Sequence, residues 1–257
     1  MGGGKTRISI ESEFPTVEAM EQLAAIGMEE GLTQAVGQIA ATSSDASPEE
    51  ELSVQELLVD FITSLDGYGA AEGWPGWWGL ESPEYLAWLG QQPERHYTIL
   101  MGANTYRLMS GFATESEVSK SGETMADEDA AMAELAKASK VVFSSTLQAP
   151  LSWANTRLVS EDAVEVVATM KRDGTSPMRT LGSLSLCRSL LEAGLVDRFR
   201  VVVFPVITGS TGRDRIYDGY PDVALEMVAS RTFDGRLQLL EYVPTVLTGP
   251  PGTHPGS

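Results

Sequence analysis

Three short segments of this chain carry residue types suited to holding a diphosphate through the backbone. They are ILMGANTY at residues 99–106, VVFSSTL at 141–147 and RTLGSLSL at 179–186. Each closes an apolar β-type run with Gly or Ser, and the first and third then enter a helical pattern. Glycine lets a backbone approach a ligand closely, and the free amides at a helix start attract phosphate oxygens. Three such junctions at the C-terminal ends of strands can line one crevice that holds an extended dinucleotide. Neither GxGxxG nor GxxxxGK[ST] occurs, which removes a Rossmann fingerprint and a P-loop.

Other candidate groups lie near these junctions in the chain. SLDG at 64–67 ends an apolar run. Its Asp66 is a candidate proton donor or positioning group, and it is equally the usual residue of a DG turn. The stretch YGAAEGWPGWWGLE, residues 68–81, puts Trp74, Trp77 and Trp78, three of the five tryptophans, in a Gly- and Pro-rich loop. Such indoles either form a mobile aromatic lid over a planar substrate or pack over a sheet edge or dimer contact. The single cysteine, Cys187, falls in an apolar-periodic run and reads as a buried core residue. His96 and His254 are far apart and no HExxH spacing accompanies them, so no metal is expected.

The elements that must position these groups alternate in type, as in an α/β sheet. Strands are predicted at 54–62, 97–101, 140–144, 156–159, 179–181 and 199–204. Helices are predicted at 83–91, 103–110, 130–138, 162–172 and 183–193, with Asp162 near a helix start. Residues 224–233 and 237–246, joined by Asp234-Gly235, form a closing hairpin. The segment 115–128, ESEVSKSGETMADE, reads as an acidic surface loop.

The succession SLDG, MGANTY, VVFSSTL and LGSLSL…LLEAGLVDRFRVVVFPVITG resembles the dihydrofolate-reductase-like superfamily over about residues 54–246. It is most similar to the branch containing the reductase half of the riboflavin-biosynthesis deaminase–reductase. The resemblance implies a mixed, mostly parallel sheet flanked by helices with a C-terminal β-hairpin, NADPH as cofactor with NADH not excluded, and frequent homodimers. It further implies that Gly102, Asn104 and Thr105 meet the cofactor phosphates, and that Phe143, Ser144 and Ser145 border the adenosine side. Gly182, Ser183 and Leu184 would cross the pyrophosphate, while Ser64, Asp66 and Gly67 would lie near the nicotinamide.

The chain departs from that pattern at several positions. Ala103 and Ser185 stand where the family often has arginine, which removes charge suited to a 2′-phosphate. Arg213 and Arg215, in the loop GSTGRDR, either compensate or are simply solvated. SPEYLAWLGQQ, 82–92, resembles the helix that carries the substrate carboxylate of dihydrofolate reductases. Here Tyr85 takes that position and Glu84 precedes it, about 100° around the helix. Dihydrofolate itself is thereby disfavoured as substrate. Glu84 remains a catalytic candidate, and Trp74, Trp78, Tyr85 and Ser64 are substrate-side candidates.

Residues 1–41 show a Gly-rich turn, a strand with TR, then FP and a helix containing GMEEG. They resemble the closing strand and helix of the START-like Hsp90-activator branch, as an extra N-terminal strand–helix fragment. This stretch is expected to be the end of a fusion whose start was assigned too late, or a docking helix. Residues 42–53 read as an acidic linker and 247–257 as a disordered tail.

Composition bounds the function. A net charge of −18 argues against nucleic acid, which needs a Lys/Arg surface. No uncharged apolar stretch reaches the roughly 18 residues of a membrane span, and the N-terminus lacks a signal-type apolar core. The expectation is a cytoplasmic oxidoreductase that passes hydride to a small heterocyclic or carbonyl/imine substrate. The rival is a catalytically silent nucleotide-binding or interaction module on the same fold.

Overall fold

The protein is described by a computed structural model covering residues 54–73, 76, 78–118 and 134–251. The expected fragment at 1–41, the linker at 42–53, most of the tail, Trp74, Trp77 and residues 119–133 lie outside the described residues.

Runs such as LLVDFITS and RFRVVVF alternate their side chains between two faces and are rich in β-branched and aromatic residues, which fit a pleated surface covered on both sides. The strands are β1 (Leu57–Ser64), β2 (Tyr68–Ala71), β3 (Thr98–Gly102), β4 (Lys140–Phe143), β5 (Thr156–Val159) and β6 (Met178–Thr180). They are followed by β7 (Arg198–Phe204), β8 (Gly212–Arg215), β9 (Val223–Phe233) and β10 (Leu237–Val246). The helices are α1 (Pro83–Gln91), α2 (Ala103–Val118), α3 (Ala163–Asp173) and α4 (Leu184–Glu192).

Eight strands form one sheet in the order β5-β4-β3-β6-β1-β7-β10-β9. Neighbours from β5 to β7 run parallel, and only β10 is reversed, pairing antiparallel with β7 on one side and β9 on the other. This is the mixed, mostly parallel sheet with a closing hairpin that the resemblance implies. All the parallel strands point their C-terminal ends one way, so the loops after β1, β3, β4, β6 and β7 gather at one end of the sheet.

Helices α3 and α4 cover one face. Val167 of α3 and Leu186, Cys187, Leu190 and Leu191 of α4 pack there on Leu57, Val59, Leu100, Met178 and Val201. Cys187 is fully buried, as its apolar surroundings predict, and burial pushes its thiol up to about 12. Asp162 caps α3 by accepting from the amides of Val164 and Glu165. On the other face two separate apolar clusters form. One joins Tyr85 and Trp88 of α1 to Val202, Phe204 and Phe233; the other joins Tyr106 of α2 and Trp153 to Ile99, Met101 and Val142.

Two expectations need correction. Residues 103–118 form one helix, longer than the predicted 103–110 and extending into the segment read as a loop. Arg213 and Arg215 sit on β8, which pairs with β2 as a small antiparallel ribbon. They are therefore not loop residues: Arg213 contacts Glu72, while Arg215 reaches Asp218 and lies 5.4 Å from the Tyr68 ring. A set of charges also lies inside the otherwise apolar sheet. Arg198 and Arg200 of β7 point to the α1 face and bind Glu56, Asp60, Glu94 and Glu241. Arg200, Glu94 and Glu241 are buried, so removing any one partner strands the charge of another.

Candidate functional site

The three Gly/Ser junctions end β3, β4 and β6, which are consecutive in the sheet. Gly102 pairs in register with Phe143, and the amide of Leu181 donates to the carbonyl of Leu100. The junctions therefore stand side by side at one end of the parallel strands. Gly182 has φ of +54° and Ser183 has φ of +66°. A Cβ on Gly182 would lie 3.1 Å from Thr105 Oγ1, so glycine is needed for the backbone angle and for the close approach to α2.

Ser183 is the residue before α4, yet its side chain makes no capping bond. Its Oγ instead accepts from the Gly102 amide at 2.7 Å, lies 2.8 Å from Thr105 Oγ1 and contacts the carbonyl of Leu181 at 3.3 Å. One hydroxyl thus laces the first junction to the third. The first amides of α4 gain no side-chain acceptor and carry the positive end of the helix dipole. Leu184 packs its side chain into the core below them. Asn104 is exposed and accepts from Arg107 at 3.1 Å.

In the second junction Phe143 packs against the core. Ser144 Oγ accepts from the amides of Thr146 and Leu147 at 3.1 Å each, which closes a serine turn. Ser145 is exposed. Ala103 and Ser185 flank the first and third junctions without a guanidinium.

The nicotinamide-side candidates are arranged differently from expectation. Ser64 is buried; its Oγ donates to Asp66 at 2.6 Å and accepts from the Tyr68 amide at 2.9 Å. Asp66 also accepts from the amides of Thr208 at 3.2 Å and Gly209 at 2.9 Å. The Ser64 hydroxyl, helped by these two amides, holds the Asp66 carboxyl down at about 2. Asp66 ties the turn after β1 to the segment after β7, which corrects its candidacy as a proton donor. Gly67, at φ +89°, completes that turn.

Glu84 is corrected as well. Its carboxylate accepts from the Asp234 amide at 2.8 Å and from Arg231 at 3.1 Å, at the hairpin edge of the sheet. Strands β1 and β7 separate that edge from the three junctions. Tyr85 is 2% exposed and sits among Trp88, Phe204 and Phe233, with ring centroids 5.5–5.9 Å apart. Burial raises its phenol far above the usual value, and it is a core residue rather than an open substrate contact. Trp78 packs on Phe204 at 5.5 Å, which favours packing over a free lid at that position. Trp74 lies outside the described residues.

Two hollows open near these elements. One of about 440 Å³ is lined by Ala70, Ala71 and Gly73, by Leu108 of α2 and by Arg213 and Asp214 of β8. It lies between the β2–β8 ribbon and α2. The other, of about 260 Å³, is lined by Trp88, Gln92, Glu94, Arg198, Arg200 and Glu241 under α1. Among the described residues no group of three or more His, Cys, Asp or Glu side chains is placed to hold a metal ion. No helix among them is long and apolar enough to cross a membrane.

The pattern of strands and junctions agrees with a sequence-family match. Residues 55–239 match the family model described as the RibD C-terminal domain. The chain belongs to the RibD C-terminal domain family. Within the fold of that family, a putative riboflavin biosynthesis protein from Shewanella sp. PV-4 superposes with a TM-score of 0.54 at 18% identity, covering 74% of this chain and 99% of that one. A pyrimidine reductase-like protein from Corynebacterium diphtheriae gives 0.50 at 15% identity, over 79% and 96% of the two chains. The uncharacterized protein YyaP of Bacillus subtilis (strain 168) is 24% identical over 194 residues, 74% of this chain and 96% of its own. The mixed, mostly parallel sheet with its C-terminal hairpin is the architecture the sequence motifs led us to expect.

Sequence reasoning missed Asp60, Arg179 and Arg200, which stand together on the α1 face. The signal was available. Charges at alternate positions of otherwise apolar strands, as in RFRVVVF, mark polar groups pointing into a covered face.

Proposed function

We propose that this chain is an NAD(P)H-dependent reductase acting on a small, flat heterocycle or a carbonyl or imine compound. The observation that carries this reading is the adjacency of the three junctions on β4, β3 and β6. In it, Gly102, Asn104, Thr105 and the α4 amides at Gly182, Ser183 and Leu184 receive the diphosphate. Phe143, Ser144 and Ser145 border the adenosine. The uncapped start of α4 fits an anion, and the reduced nicotinamide, when bound, supplies hydride. The protein's own part is to bind, orient and exclude water. Membership of a family named for a riboflavin-biosynthesis reductase domain, and the likeness to a pyrimidine reductase-like protein, favour a pyrimidine-type ring over dihydrofolate. NADPH is the first cofactor to test. We place the enzyme in the cytoplasm as a homodimer, with neither nucleic acid nor membrane as partner.

The test is a titration of the full chain with NADPH and with NADH, read by tryptophan quenching and nicotinamide emission. Saturable quenching by either supports the reading, and no change with both sinks it. One observation favours the silent module instead: Gly102, Thr105 and Ser183 already satisfy one another. Cofactor binding without turnover across a panel of pyrimidinones, pterins and quinones is the outcome that reading expects.

A further inference from the structure

Strand β6 is three residues long, and its side chains alternate. Met178 faces α3 and α4, so Arg179 faces the other side, which carries α1 and α2. There β6 lies between β3, under the α2 cluster, and β1, beside the α1 cluster. Arg179 therefore stands between the two clusters, three residues before Gly182 of the third junction. It is 8% exposed. Its Nε has no hydrogen-bond partner, and among the described residues no oxygen pairs with its guanidinium.

The neighbouring acids are already committed. Asp60 gives both oxygens to Arg200, at 3.2 and 2.7 Å, and Glu94 serves Arg198 and Arg200 at 3.0 and 3.3 Å. Burial works against the charge of Arg179; Asp60 and Glu94 attract it without bonding it and Arg200 repels it, and a guanidinium does not release its proton in proteins. A desolvated cation with five donors and no acceptor is an unfavourable state that an arriving anion relieves. The α1 cluster with Tyr85 and Leu89 lies on one side of Arg179 and the α2 cluster with Tyr106 and Met101 on the other, and the planar fork of a guanidinium matches a planar oxyanion.

We propose that Arg179 is the substrate-anchoring residue, and that it receives a carboxylate or similarly planar oxyanion of the substrate on the sheet face that carries α1 and α2. The assignment rests on the reductase reading for the word substrate, while the anion site itself does not.

The experiment uses the full chain, Arg179→Met and Arg179→Lys, with benzoate as probe, benzamide as its uncharged isostere and inorganic phosphate as a tetrahedral control. Binding is followed by calorimetry and by thermal melting at low ionic strength, and NADPH is titrated separately. Benzoate is expected to bind the wild type and raise its Tm, with benzamide inert. Arg179→Met should lose at least tenfold in benzoate affinity, yet melt higher than wild type without ligand, because it removes an unpaired buried charge. Arg179→Lys, which keeps the charge but not the fork, should bind more weakly than wild type.

A lower Tm for Arg179→Met, with benzoate and benzamide acting alike, overturns the proposal and makes the guanidinium part of the scaffold. Binding of phosphate but not benzoate overturns the planar assignment. Arg179-dependent benzoate binding without NADPH binding to any variant removes the reductase reading and supports the anion site alone.

Discussion

The Oγ of Ser183 and the amide nitrogen of Gly102 are 2.7 Å apart, although 81 residues separate them in the chain. This bond holds the β3 and β6 junctions at a fixed spacing while Ser183 occupies a left-handed conformation that costs a non-glycine residue about 1 kcal/mol. Ser183→Ala keeps the strain and loses the bond, so it should destabilise by about 1–3 kcal/mol. Ser183→Gly loses the bond and relieves the strain, and should fall closer to wild type. Urea unfolding of the two variants checks the order; Ala at or above Gly would contradict it.

Asp66 links two loops through an ionised carboxylate. Its folded pKa, about 2, lies below the ordinary aspartate value of 3.8. The stabilisation is therefore complete above pH 4 and is lost as pH falls through the interval from about 4 to 2. Asp66→Asn should flatten that part of the acid unfolding curve. In steady-state assays the variant should show no new pH dependence between 6 and 8, because Ser64, Thr208 and Gly209 hold the Asp66 carboxylate ionised throughout that range. An acid limb near neutrality that disappears in Asp66→Asn would restore the catalytic role.

Glu84 and Asp234 cap each other's backbone. The Glu84 amide donates to Asp234 Oδ2 at 3.0 Å, and the Asp234 amide donates to Glu84 Oε2 at 2.8 Å. Asp234 thereby does for α1 what Ser82, with its buried hydroxyl unpartnered, does not. Asp234→Ala should cost about 1 kcal/mol, as loss of a helix cap does. Glu84→Gln should leave NADPH affinity unchanged. A combined variant measured in urea should show non-additivity, because each side chain serves the other.

Lys140 is buried at the end of the 134–137 helical turn, where its Nζ donates to the carbonyls of Leu135, Ala136 and Ala138 and lies 4.7 Å from the Trp153 ring centroid. Burial lowers its pKa from the ordinary lysine value of 10.5 to about 8. The unfolded chain then binds more protons above pH 8, so this group makes stability rise from about pH 8 towards 9.5. Lys140→Met should remove that rise. It should also lower stability at pH 7, because three carbonyls lose their donor. Denaturation curves at pH 7, 8 and 9.5 test both.

Strand β9 is the sheet edge, 11 residues long without Pro or Lys, and exposes Leu225, Met227 and Val228. An edge of that kind invites pairing with another strand. Under the homodimer reading, Val228→Lys should convert a sedimenting dimer to a monomer while preserving the melt. A wild type that sediments as a monomer at micromolar concentration would end that reading.

The long parallel strands, α1, α3, α4 and the hairpin were legible because apolar periodicity and Asp162, Gly194 and Asp234-Gly235 mark them directly. Strands β2 and β8 were not: YGAA and GRDR lack the alternation that identifies a strand, and only their pairing makes them one. Helix α2 extends past Ser110 into an acidic stretch whose polarity suggested a loop. At the site, the junction residues were legible as a set because each is a local turn feature. The roles of Asp66 and Glu84 were not, since their partners at Thr208, Gly209 and Asp234 lie more than 140 residues away. Tyr85 shows the same limit: its position on the helix is visible in the sequence, but the aromatic neighbours that enclose it come from β7 and β9.

Arg198 and Arg200 draw on carboxylates from four places: Glu56 before β1, Asp60 within it, Glu94 in the turn after α1, and Glu241 on β10. A single acid can drift away and each arginine still keeps another, whereas exchange of Arg200 maroons Asp60 beneath α1. Among descendants of this chain the two arginines should therefore be the slowest of the six to change, with the acids following them.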